Sequence, residues 1–147
     1  MIDYYYNFQS HTGILDRSYA LWQWGEKFRE AAGKLNRCTR IGNMLGSPNM
    51  KDLLERARFQ NIYSRNCSIP IGGWSTNARE REVGIQNRSN VEKMLDSLGT
   101  WPFCSVLGMS TEEVSQLNSR AKMELRDNTL KLYLPAMLAF GQRPIDE

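Results

Sequence analysis

The chain of 147 residues holds one histidine and three cysteines, and the three are scattered at Cys38, Cys67 and Cys104. A single histidine would have to serve every Ser/His/Asp or Cys/His scheme, so no such arrangement can be argued. The cysteines form no CxxC pair and no metal-ligand spacing, which excludes a zinc site and a disulfide framework and points to reduced thiols. Cys104 stands among apolar neighbours, so core packing is expected of it rather than nucleophilic work. No apolar run approaches the ~20 residues of a membrane-spanning helix. The N-terminal MIDYYYNFQS lacks the basic start and apolar centre of a secretory signal. A cytoplasmic or nuclear location follows by default. The triplets Asn66-Cys67-Ser68 and Asn87-Arg88-Ser89 are then expected to stay unglycosylated. Charge is also modest: 19 basic and 16 acidic residues leave +3. The arginines interleave with glutamates, as in Ala78–Val83, so neither a nucleic acid nor a membrane surface is expected as partner. No GxGxG occurs, and no internal repeat.

What is present reads as one globular domain. Hydrophobic residues make up 41%, with four tryptophans, six tyrosines and five phenylalanines to fill a core. Ile2–Phe8 is aromatic and strand-prone, with Tyr4, Tyr5 and Tyr6 in a row. Gln9–Gly13 reads as a polar break. A helix follows, capped by Asp16 or Ser18, with Leu21, Trp24, Phe28, Ala31 or Ala32 and Leu35 on its apolar face, ending at Gly33 or Asn36. Asn36–Asn49 reads as a loop. From Met50 to Trp74 the period changes. Met50, Leu53, Leu54 and Ala57 recur at helical spacing, and Phe59–Asn61 turns. Ile62–Ile71 then puts Tyr63, Cys67, Ile69 and Ile71 on one parity of a strand, before a Gly72-Gly73-Trp74 corner. Asn77 caps a helix to about Leu98, buried at Val91, Met94, Leu95 and Leu98, with Gly99 and Pro102 as its stop and Trp101–Leu107 as a connector. Ser110 and Glu113 form a capping box for a helix that buries Val114, Leu117 and Ala121 and runs to Arg126. After a turn at Asp127-Asn128, Leu130–Phe140 is a strand with Leu130, Leu132, Leu134, Leu138 and Phe140 on one buried parity. Pro135 would demote it to an edge or bulged strand. The tail Arg143–Glu147 reads as frayed. The expected order is β-α-α-β-α-α-β, an α/β layered fold with about three strands and four helices.

Three pieces carry a resemblance: DLLERARFQNI at 52–62, IPIGGW at 69–74 and YLPAMLAFGQRP at 133–144. In order and spacing, from about Tyr4 to Pro144, the chain resembles the C-terminal half of LaeA-like (UMTA-type) fungal methyltransferases. Those are class I enzymes using S-adenosylmethionine (SAM), often found in secondary metabolism. The resemblance implies the C-terminal part of a Rossmann-like class I methyltransferase fold, with the N-terminal SAM-binding half missing. On that reading residues 1–14 are a strand and loop after the family's fifth strand, and 15–49 a helical lid insertion. Residues 50–74 are a helix–strand unit, 75–127 a helical region and 128–147 the final strand and tail. The whole is a single partial domain. Ile62–Ile71 and Leu130–Phe140 become the antiparallel pair that ends the sheet. The last strand then lies between neighbours, and a local bulge would accommodate Pro135.

SAM is the family's cofactor, and none is expected to bind this chain alone. A SAM cradle needs a glycine-rich turn between a strand and a helix, so that backbone N–H groups reach the ligand. Gly72-Gly73 follows a strand but reads as a tight turn ahead of the Asn77 helix. His11 can be a general base, although no partner is visible in sequence. Trp22 and Trp24 cannot share a helix face, so one faces the core and the other something else. Tyr19, Trp22, Trp74 and Trp101 are candidates, with His11, for an apolar pocket that takes a planar natural-product acceptor. No catalytic residue, cofactor ligand or metal ligand can be named. The leading expectation is a member of a SAM-dependent methyltransferase family, in fungal secondary-metabolite biosynthesis or its regulation. The alternative is a non-catalytic module that pairs, through an open sheet edge and the aromatic row at Tyr4–Tyr6, with a complete methyltransferase or with itself as a hetero- or homo-oligomer. A cofactor-free isomerase or cyclase is a third class, for which no residue argues.

Overall fold

The computed structural model describes residues 2–4, 7–13, 15–36 and 50–144. Tyr5, Tyr6, most of the expected 36–49 loop with Cys38, and the last three residues of the tail lie outside them. The elements are β1 (Ile2–Tyr4), β2 (Gln9–Ser10), α1 (Ala20–Lys34), α2 (Met50–Arg56), β3 (Gln60–Pro70), α3 (Ala78–Ser105), α4 (Thr111–Arg126), a single 3-10 turn (Asn128–Leu130) and β4 (Leu132–Gln142). The order is the expected one, except that the first strand is split. Its second piece falls in the stretch that reads as a polar break. Among the described residues, no helix is long and apolar enough to cross a membrane.

β4 is the middle of an antiparallel sheet. β1 and β2 lie along one side and β3 along the other. Its central place corrects the edge-strand reading of Pro135, and the reason is visible in the hydrogen bonds. Leu132 O accepts from Ile71 N on the β3 side, and Lys131 O accepts from His11 N on the β2 side. Antiparallel residues alternate in the neighbour they bond. Pro135, an odd position, therefore turns its hydrogen-free nitrogen away from β3. That direction meets the interruption between Tyr4, opposite Ala136, and Gln9, opposite Tyr133. Against β3, Pro135 pairs with Ser68 in unbroken register, and the irregularity there falls at Gln60/Tyr63. The accommodation is made in the neighbouring lane and not by a bulge in β4.

Helices cover both faces of β4, at different places along it. α1, α3 and α4 enclose one core with Phe8, Ile71, Leu132 and Leu134. α2 lies on the other face, where Met50 and Leu54 meet Met137 and Ala139, with Phe59 and Ile62 beside them. The expected single buried parity is corrected accordingly. Leu132 and Leu134 are buried, Leu138 only half so, and Phe140 is 55% exposed beside the exposed Tyr63. The strand keeps its alternation while the helical cover changes sides, so burial passes from even to odd positions.

α3 does not stop at Gly99 and Pro102 but runs through both to Ser105. A proline there loses one helical hydrogen bond, to the carbonyl of Leu98, which is at an exposed position. Against that loss stands the burial of Phe103, fully enclosed and edge-on to Trp24. Burying such a side chain contributes about 1.5–3 kcal/mol, enough to carry the helix past the proline. Leu98, expected in the core, is 39% exposed, while Val91 and Leu95 are buried as expected.

α1 starts without a cap of its own. Tyr19 holds the N-cap position and makes no side-chain cap bond. Asp16 accepts from the Ser18 N–H and hydroxyl, one turn too early to cap. The cap comes from α4: Glu124 Oε1 and Oε2 accept from Ala20 N and Leu21 N at 2.7 and 2.9 Å. A carboxylate at a helix N-terminus satisfies free N–H groups and opposes the helix dipole. At the other end Asn36, in left-handed backbone, closes the helix, Gly33 lies inside it, and Leu35 is 42% exposed rather than part of the apolar face. Glu124→Ala is expected to lower stability by about 1–3 kcal/mol, because it strands two charge-assisted bonds. Urea unfolding would show this as a lower midpoint at unchanged slope. A midpoint that does not move would mean that water caps the helix equally well.

Candidate substrate-side site at the strand ends

β2 and β3 each run antiparallel to β4, so they run parallel to each other and end on the same side of the molecule. Three rings meet there. His11, one residue past β2, stacks on Tyr133 with centroids 4.3 Å apart at 27°. It also faces Trp74 edge-on at 5.2 Å. The backbone fixes the group: His11 N donates to Lys131 O at 3.2 Å, and Trp74 Nε1 donates to Leu132 O at 2.9 Å. The Tyr133 hydroxyl donates to Gln9 Oε1 at 2.6 Å. His11 remains solvent-exposed. The residues just before it, Asn7, Phe8, Gln9 and Ser10, line a cleft of about 380 Å³ together with Gly13, Leu15 and Trp22, to which none of the three rings contributes.

The local sequence explains why Trp74 arrives there. Gly72 has φ +89°, a conformation that favours glycine, and it turns the chain out of β3. Asn77 then caps α3 by accepting from Arg79 N and Glu80 N. Ser75 donates to Glu80 from within the turn, at 2.6 Å. The corner is thus locked between strand and helix, with Trp74 at its outer point.

The five residues singled out in the sequence fall in different places. His11 and Trp74 come together, and Trp22 lines the adjoining cleft. Tyr19 packs against the main core. Trp101 is 61% exposed near the end of α3. Trp22 and Trp24 differ in burial but do not part company fully: Trp24 is fully buried, while Trp22 is half-buried, packs against the same core and also lines the cleft. Tyr133 was missed. Its signal was its odd position in a strand whose leucines are even, which turns it from the helical core toward His11.

The glycine turn does not fit a nucleoside cradle. Gly72 N is bonded to Gly84 O at 2.8 Å, and Gly73 N to Asn128 Oδ1 at 3.2 Å. Both amides that could approach a ligand are engaged inside the protein. Among the described residues no group of three His, Cys, Asp or Glu side chains could hold a metal.

No family model matches the chain, and no solved structure does. Curated proteins do match. Identity is 27% over 113 residues to methyltransferase pytC of Aspergillus terreus, covering 76% of this chain and 35% of that protein. It is 25% over 125 residues to the protein-methionine methyltransferase laeA of Chaetomium globosum, covering 85% and 38%. It is 28% over 102 residues to the secondary metabolism regulator laeA of Fusarium oxysporum f. sp. lycopersici, covering 69% and 31%. The chain spans about a third of the length of the curated relatives it matches. Across most of its own length, this chain is therefore similar to the LaeA-like fungal methyltransferases, the family that its own residues resemble.

Proposed function

We propose that this chain forms the C-terminal, acceptor-side part of a Rossmann-like SAM-dependent methyltransferase fold of fungal secondary metabolism or its regulation, and that alone it does not bind SAM. The observation that carries this is the similarity to methyltransferases and LaeA-type regulators over 69–85% of the chain. The site geometry supports it. The strand ends carry an aromatic wall of His11, Trp74 and Tyr133 and a cleft beside Trp22, which suit a flat, partly apolar acceptor. His11 is the general-base candidate of that wall. The engaged amides of Gly72 and Gly73 support the second clause.

Calorimetric titration with S-adenosylhomocysteine tests that clause. No saturable heat is expected. Micromolar affinity would overturn it and reveal a cofactor site elsewhere in the chain.

One observation favours a second reading, a non-catalytic interaction module. Among the described residues β1 and β2 pair only with β4, which leaves their outer edge open to another strand. β3 is the less inviting edge: it carries Arg65, an irregularity at Gln60/Tyr63 and Pro70 at its end. A clean monomer on gel filtration would count against this reading.

A further inference from the structure

The far end of β4 carries a second concavity, about ten residues and so about 30 Å from His11. The turn from α2 to β3 supplies Ala57, Arg58 and Phe59, and the chain just past β4 supplies Arg143 and Pro144. Together they line a cleft of about 380 Å³. Gly141 sits close against Phe59 and Ile62, so the strand end and the turn are packed together.

The backbone of that turn is a complete Schellman motif. Arg58 N donates to Glu55 O at 2.9 Å and Phe59 N donates to Leu54 O at 3.0 Å. Phe59 and Leu54 also share one apolar cluster, the contact that accompanies this motif. The motif places its left-handed residue at Arg58, with φ +61°. Glycine is the usual occupant, because a Cβ crowds the following carbonyl oxygen in that conformation. A long cationic side chain therefore stands where the local backbone favours none. A cation at a helix C-terminus also meets the helix dipole, but lysine would serve that equally, and Arg143 gains nothing from it. Among the described residues neither guanidinium has an ion-pair partner.

Arg58 and Arg143 line the cleft together with Phe59, Ala57 and Pro144, and among the described residues no carboxylate pairs with either. Guanidinium groups recognise carboxylates and phosphates with two parallel bonds, and the apolar lining would take an attached ring or chain. We propose that this cleft binds a small anionic ligand, a carboxylate or phosphate borne on an apolar body.

Arg58→Gly separates binding from folding, since glycine suits the backbone better. It is expected to raise Tm by about 1–4 °C while weakening the anion tenfold or more. Arg143→Ala should weaken the anion similarly without the gain in Tm. The probes are benzoate and phenyl phosphate, titrated into the full chain and followed by amide chemical shifts, with shifts expected at 57–59 and 141–143. Tighter phenyl phosphate assigns a phosphate ligand, and tighter benzoate a carboxylate. The proposal is overturned if neither probe saturates at millimolar concentration, or if both variants bind as the parent does.

Discussion

Gly84→Ala is expected to lose more than about 4 kcal/mol, enough to unfold the chain at ordinary temperatures. The reason is backbone against backbone. A Cβ on Gly84 would lie 2.1 Å from Gly72 O and 3.1 Å from Gly72 C. No flexible side chain is present to move aside. Gly72 itself is pinned. Its N–H bonds Gly84 O, Gly73 N bonds Asn128, and Trp74 Nε1 bonds Leu132 O. Asn87 Nδ2 reaches Pro70 O at 2.9 Å from the next turn of α3. One methyl group would force α3 off the end of β3 and take Trp74 away from His11. Helix propensity alone predicts the opposite, since alanine favours a helix interior over glycine by about 1 kcal/mol. Gly33→Ala in α1 is the control, because a Cβ there meets nothing within 4 Å. Thermal unfolding should show Gly33→Ala at or above the parent and Gly84→Ala without a cooperative transition. If Gly84→Ala melted within a few degrees of the parent, the close approach of α3 to the Gly72 corner would be wrong.

The same contrast shows what the sequence could and could not reveal. The Asn77 cap and the Ser110/Glu113 capping box were legible because their signals lie within four residues of the helix they start. The α2–β3 unit was legible in outline for the same reason, since period and turn chemistry change over a few positions. But the turn falls at Ala57–Arg58 rather than Phe59–Asn61 and the strand starts at Gln60 rather than Ile62, because the helix closes on the Arg58 and Phe59 amides. The extension of α3 past Pro102 was not, because it depends on Trp24 and Phe8, which lie far back in the chain. Nor was the cap of α1, whose carboxylate lies 104 positions from the amide that it serves. For β4 the alternation itself was correct. What sequence could not carry was the place along the strand where helical cover changes face. At the candidate site His11 and Trp74 were readable as unusual residues near polar turns. Their meeting with Tyr133 depends on strand register, which no local pattern specifies.

Trp24 is the largest fully buried side chain among the described residues. It stacks on Phe28 at 5.1 Å and 9°, and takes Phe103 and Phe8 edge-on. Trp24→Ala should therefore cost about 3–5 kcal/mol. A sharper result is expected from its neighbour. A Cβ on Gly99 would come within 2.9 Å of Trp24 Nε1 and 3.1 Å of Cζ2 and of Phe103 Cε2. Gly99→Ala is expected to cost about 1–3 kcal/mol by overpacking. Trp24→Phe keeps the ring and removes an indole N–H that has no hydrogen-bond partner among the described residues. It also empties the space beside Gly99. Left empty, that space should cost about 1–2 kcal/mol, partly offset by losing an unsatisfied donor. In the double variant the new methyl occupies the space that the smaller ring vacates, and α3 gains the helix preference of alanine. The two costs should then not add. The double variant should be more stable than the sum predicts by about 1–2 kcal/mol, a coupling well above the scatter for independent sites. Denaturant unfolding of the four proteins measures it. Additivity within about 0.5 kcal/mol would show that Gly99 is not where α3 meets the indole, and that some other contact carries the helix through Pro102 to bury Phe103.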